Sequence, residues 1–275
     1  MKLLLRSEIY RLFRQKSTFI VLTAAAVFMT VSSLSWGMIL GNAPWVTRFF
    51  ANILESGYLD AYGPQIAEQI REIAMMHADT VCQFIAANFR GDLVFFLGFF
   101  IACFYRSEAE TGYRKNLAFR YTRQQFYIVH VIIVFAYAVV LTLIPAGAIT
   151  LVSFGFFRSI PFGNAGRLIL YLLVLTALYT VIGMFLMILI DLFRNKRMAV
   201  VLFFVYLLIL SGLLYTMIEA MFSGGFSIRL FTPVGNLSVI DFGTPGTYLP
   251  AAVCSLFYAG LAFMIEFYSM RERNI

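Results

Sequence analysis

The side chains that most often do chemistry are sparse and badly spaced for catalysis. His77 and His130 are the only histidines, and the charge pattern below puts them on opposite sides of a membrane. No HExxH pair or multi-histidine metal site is therefore available within one chain. There is no GxSxG turn to present a serine nucleophile, and no GxxxxGK[ST] loop to cradle ATP phosphates. Asp92, Asp191 and Glu266 all fall toward the ends of apolar runs, so no carboxylate pair is expected deep inside one. The sequence thus predicts no catalysis and no cofactor. The chemistry-bearing stretch is instead a charged loop, Arg106 to Arg123, reading RSEAETGYRKNLAFRYTR. Glu108 and Glu110 precede Gly112, and Arg114, Lys115, Arg120 and Arg123 follow it. Acids first and bases later suit a short helix lying along a membrane surface. The same charges also suit a solvated, balanced loop.

The elements around that loop are apolar. Mean hydropathy is +0.84, 61 % of residues are hydrophobic and 13 % are charged, which does not suit a water-soluble domain. Six apolar runs occupy 17–40, 81–105, 126–157, 168–190, 198–218 and 248–268. Roughly 20 apolar residues cross a bilayer as a helix, and backbone groups in lipid must bond within their own segment. The expected fold class is therefore all-α integral membrane, with six transmembrane helices in a single domain over 1–275.

Fifteen of the 21 Lys and Arg residues lie in alternate connections: before the first run, between the second and third, between the fourth and fifth, and after the sixth. Basic short loops stay cytoplasmic, so both termini are expected inside a cell membrane crossed six times. This topology, with anionic lipid headgroups, accounts for the net charge of +7 without invoking nucleic acid. Cys82, Cys103 and Cys254 are isolated, odd in number and within or beside runs, which reads as packing rather than a disulfide frame. Residues 2–16 are charged throughout, unlike a cleavable signal peptide.

Several connections have character of their own. In 1–16, Leu5, Ile9, Leu12 and Phe13 form an apolar stripe, with Ser7, Arg11 and Arg14 off it, predicting a helix in the interface plane. The outer loop 41–80 holds Pro64 followed by Ile66, Ile70, Ile73 and His77 at helical spacing, predicting an amphipathic helix. Asn88, Arg90 and Asp92 interrupt the second run and leave only Leu93–Tyr105 purely apolar. Arg90 and Asp92 then belong near the outer edge of that span, as a pair or as polar groups of an exit path. The loop 219–247 is rich in Gly and Pro yet apolar, predicting segments that re-enter the helix bundle before the last span. Glu219 opens it as a second pathway candidate. Pro145 and Gly147 are candidate kink positions in the third span.

At Glu108-Ala109-Glu110-Thr111-Gly112, Lys115-Asn116-Leu117 and Arg123 the chain resembles the inner loop of type-2 ABC transporter permeases. The N-terminal interfacial helix, six spans, inside termini and apolar loop before the last span extend the resemblance over essentially the whole chain. In character it is similar to small permeases of bacterial peptide-antibiotic export and immunity systems. Two positions depart: Tyr113 stands where a small hydroxyl residue is common, and His130 where a Lys often enters the third span.

The resemblance implies a dimer of permease subunits, identical or not, above two cytosolic ATPase subunits. It places a coupling helix in 106–123, with Glu108, Glu110, Gly112, Arg114, Lys115 and Arg123 facing the ATPase or lipid phosphates. The N-terminal helix would be a second contact, moving with the first span. The 30 Phe, 15 Tyr and 12 Met suit an amphipathic cargo, a peptide for example, and equally suit ordinary helix packing. Two rivals are a membrane immunity or assembly protein that transports nothing, and a secondary transporter. The latter would place charges at mid-membrane and show inverted repeats, which this sequence does not.

Overall fold

The computed structural model describes residues 1–41, 91–111, 121–157, 165–193, 196–207, 211–221, 227–242 and 244–272. Among them the regular structure is helical: α1 (Lys2–Arg14), α2 (Lys16–Gly41), α3 (Leu93–Thr111), α4 (Arg123–Phe157) and α5 (Ala165–Leu192) come first. Then follow α6 (Lys196–Val205), α7 (Ser211–Met221), α8 (Pro233–Val239) and α9 (Tyr248–Glu272), with single 3-10 turns at Ile228–Phe231 and Pro245–Thr247.

Among the described residues four helices are long and apolar enough to cross a membrane: Lys16–Ser35 in α2, Gln124–Ala148 in α4, Gly166–Leu192 in α5, and Pro245–Tyr268 ending in α9. They coincide with the first, third, fourth and sixth apolar runs. The other two runs are described only in part. In α3 the apolar stretch is the short Leu93–Tyr105, as the polar interruption before it predicts, and residues 81–90 lie outside the described residues. The run 198–218 is described as α6 and α7, with 208–210 between them outside the described residues.

The helix α5 is the axis. It is buried over most of its length, packs against α3, α4, α6, α8 and α9, and contributes Leu178, Tyr179, Leu186 and Met187 with no exposed surface. The close approach of α3 and α4 to α5 depends on Gly183. A Cβ there would meet Val134 Cγ1 at 2.6 Å and Ile101 Cδ1 at 3.1 Å. On the other side α2 lies against α3 and α4 and leaves Ile20, Val27 and Val31 exposed, as α9 leaves Leu249, Leu256 and Met264. Such faces suit lipid, which solvates apolar side chains as well as a protein core does. Rings fill the α3–α4 seam: Phe100 stacks on Tyr137 with centroids 3.6 Å apart and planes within 5°. One hydroxyl pair crosses the apolar interior, Thr142 of α4 and Thr176 of α5, 3.1 Å apart.

Candidate functional site

The connection 106–123 is anchored at both ends. On its N-terminal side α3 does not stop at the apolar stretch Leu93–Tyr105 but continues through Glu108 and Glu110 to Thr111. These residues are thus the last turns of α3, where the sequence suggested a separate surface helix. On its C-terminal side Thr122 and Gln125 form a reciprocal capping box. The Gln125 amide donates to Thr122 Oγ1 at 3.3 Å, and the Thr122 amide donates to Gln125 Oε1 at 3.1 Å. This satisfies donors that a helix start leaves open and sets where α4 begins. Arg123 is the first residue of α4. Gly112, Arg114, Lys115 and Arg120 lie outside the described residues.

Beneath that connection the ends of α3 and α4 close around His130. Phe104 and Tyr105 of α3 and Phe126 of α4 set their rings 5.6, 5.4 and 6.2 Å from the imidazole. Tyr105 Oη and His130 Nδ1 lie 3.4 Å apart, and the tautomer decides which donates. The other imidazole nitrogen faces α1: Glu8 Oε1 is 4.0 Å from His130 Nε2. Glu8 Oε2 is 3.0 Å from Arg11 Nη2, one helical turn on. The Arg11 guanidinium lies 3.9 Å over the ring of Phe104. A carboxylate, a guanidinium and an imidazole thus share one enclosure with three aromatic rings.

Glu8 has no exposed surface, His130 keeps 1 % and the Arg11 side chain 12 %. A carboxylate taken out of water alone is very costly, so it must enter with its partner. The spacing of Glu8 and Arg11 makes this feasible, since the pair forms within α1 and is buried as a near-neutral unit. The aromatic face then receives the guanidinium, an arrangement that holds a cation without a second carboxylate.

This contact changes how α1 is oriented. Leu4 and Glu8 are buried, with Arg11 and Gln15 half-buried beside them, so the protein-facing side follows 4, 8, 11, 15. Of the apolar stripe expected from the sequence, Leu5 and Leu12 are half-buried against the core, while Ile9 and Phe13 point outward. Arg11 accordingly belongs to a protein contact and not to a solvated polar face. The helix ends at Gln15, a single extended residue before α2 begins at Lys16.

The pathway candidates lie elsewhere. Asp92 is half-buried just before α3, its carbonyl accepting from the Phe95 amide at 3.1 Å; Arg90 lies outside the described residues. Glu219 of α7 is paired with a residue that the sequence did not nominate: its Oε2 is 3.3 Å from Arg229 Nε, and Ser227 Oγ donates to its Oε1 at 2.8 Å. Next to it runs a hydroxyl chain, Thr232 Oγ1 donating to Tyr215 Oη at 2.9 Å, with Tyr206 Oη a further 3.0 Å on.

Residues 227–242 are folded rather than extended. Thr232 caps α8 through the Gly235 amide, 3.1 Å away, with Pro233 in the first turn. Buried Asn236 directs Nδ2 at the carbonyls of Leu230 and Thr232, 2.8 and 2.9 Å away. Leu237, Ile240 and Phe242 are buried, with α8 against α5 and α9, while Met221 and Phe231 stay exposed.

No protein-family model matches this chain, and neither a curated protein nor a solved structure matches it. Its reading therefore rests on its own geometry. Among the described residues no three His, Cys, Asp or Glu side chains come together in a way that could hold a metal ion. Cys103 and Cys254 are free thiols, while Cys82 lies outside the described residues. Sequence reasoning missed Glu8 as a site residue. The available signal was that Glu8 is the sole acid among residues 1–16 and sits three residues before Arg11.

Proposed function

We propose that this chain is the membrane permease subunit of an ATP-driven ABC exporter. It crosses the cell membrane six times with both termini cytoplasmic, its second crossing built on α3 and its fifth on α6 and α7. It pairs with a second permease subunit over two cytosolic ATPase subunits. Its cargo is amphipathic, a peptide being one such substrate, and ATP is hydrolysed on the partners.

The observation that carries this reading is the joint of α1 with α3 and α4. The connection 106–123 continues α3 at one end and enters α4 through the capping box at the other. A push on it from below has two stiff helices to act on. Glu8, Arg11 and His130 tie α1 to the same two helix ends, so the displacement also reaches α1. From α1 it passes through Gln15 to α2. In this reading α1 follows the α3–α4 pair first and its own span second.

The test is affinity purification of the tagged full chain from its native cell. A soluble ATPase subunit is expected to accompany it, to be lost from Glu110→Arg and Gly112→Trp, and to hydrolyse ATP faster when cargo is added. An ATPase retained unchanged by both variants, or none at all, counts against the proposal. Cargo binding without any effect on ATP hydrolysis would favour the immunity or assembly reading.

A further inference from the structure

We infer that the outward face of α1 is a docking surface for anionic phospholipid headgroups, not merely an apolar strip resting in a bilayer. The inference uses the membrane embedding of the chain but not transport. It begins with the fate of charge on α1. Residues 1–16 contain five cations, Lys2, Arg6, Arg11, Arg14 and Lys16, and one acid, Glu8. Sequence alone leaves that acid free to neutralise the helix surface. The fold removes it: Glu8 is fully buried, and Arg11 is turned inward with it. Lys2, Arg6, Arg14 and Lys16 all stay exposed, with no acid on α1 exposed to offset them.

The apolar groups between these cations are also uncovered. Leu3 and Tyr10 are each 63 % exposed and Phe13 65 %, with Ile9 at 41 %. Leu3, Arg6, Tyr10, Phe13 and Arg14 recur at helical spacing on the side away from Leu4 and Glu8. The face thus alternates rings and guanidinium groups, whereas the outward faces of α2 and α9 expose mainly apolar side chains. Apolar faces of that kind suit acyl chains. Rings with cations suit the headgroup layer, where aromatics settle and arginine bonds phosphate oxygens.

Two further details favour lipid over a protein partner. The one-residue link at Gln15 holds α1 next to Lys16, where the membrane-length stretch of α2 starts, so α1 is kept at the level of the headgroups. Arg14 Nη1 also lies 3.4 Å from Tyr10 Oη, which holds that guanidinium over the exposed face instead of back toward the core.

The experiment places the full chain in phosphatidylcholine nanodiscs with or without phosphatidylglycerol and follows amide hydrogen exchange of residues 2–14. Exchange is expected to be slower in discs containing phosphatidylglycerol. Each cation near an anionic surface contributes about fivefold in affinity, so Arg6→Gln with Arg14→Gln should reduce the effect by up to about 25-fold. Molar salt should erase it in the unsubstituted chain, since the screening length falls to about 3 Å. That arm decides the matter if the double variant does not fold. Equal exchange in the two discs overturns the inference, as does an effect that survives molar salt. Protection that instead requires an acidic cytosolic protein, with no lipid dependence, assigns the face to that protein and also overturns it. None of these outcomes depends on whether an ATPase subunit binds.

Discussion

Glu8 Oε1 lies 4.0 Å from His130 Nε2, joining a surface helix to the first turns of a membrane-length helix across more than a hundred residues of sequence. Glu8 is the sole acid of residues 1–16 and His130 one of two histidines, but neither type reveals the other as its partner. What distinguishes them is that both are buried at the root of the charged connection, with Arg11 completing the pair and Phe104 beneath it.

Removing the acid should therefore undo the joint. In Glu8→Ala the Arg11 guanidinium stays in the enclosure without its carboxylate, a loss of about 3 kcal/mol on the scale of broken buried ion pairs. Glu8→Gln keeps the shape and one acceptor, and should lose less. Amide exchange of α1 measured against α5 in the same sample reads this directly. If α1 is as protected in Glu8→Ala as in the unsubstituted chain, the joint does not hold the helix.

A second consequence concerns the folded segment after α7. A Cβ on Gly235 would lie 2.5 Å from the Arg229 Cα, the Arg229 carbonyl oxygen and Thr232 Oγ1. Two of those atoms are backbone and have little room to yield, so Gly235→Ala should destabilise by about 2 kcal/mol. Gly212→Ala is the control, because nothing lies within 4 Å of its Cβ position. Thermal unfolding in one detergent compares them, and equal midpoints would contradict the packing described.

The Thr142–Thr176 pair should matter much less than its buried position suggests. Thr142 Oγ1 already donates to the Val139 carbonyl at 2.9 Å, so the pair is not its only bond. Single and double Thr→Val variants should give a coupling of about 0.6 kcal/mol, as is usual for such bonds between membrane helices. A value several times larger would mark this contact as a principal tie between α4 and α5.

The helices and their approximate limits can be read from the sequence because their causes are local. Long apolar runs predict α2, α4, α5 and α9. The polar interruption at Asn88, Arg90 and Asp92 anticipates how short the apolar part of α3 is. The partners of charged groups were less accessible. Glu219 is marked by its position, but Arg229 becomes its partner only through the packing of Ile228–Phe231 against α7.

By itself the sequence determined that the chain is helical, how its apolar lengths alternate with basic connections, and that α1 has two sides. Those properties follow from residue type and spacing along one strand of chain. Only the tertiary structure decided which side of α1 is buried, that Glu8 and Arg11 go inward together, and that His130 meets them. A helical period says which residues share a face, but the choice of neighbour depends on the cost of burying each charge, which is met only once α3 and α4 supply the rings and the imidazole.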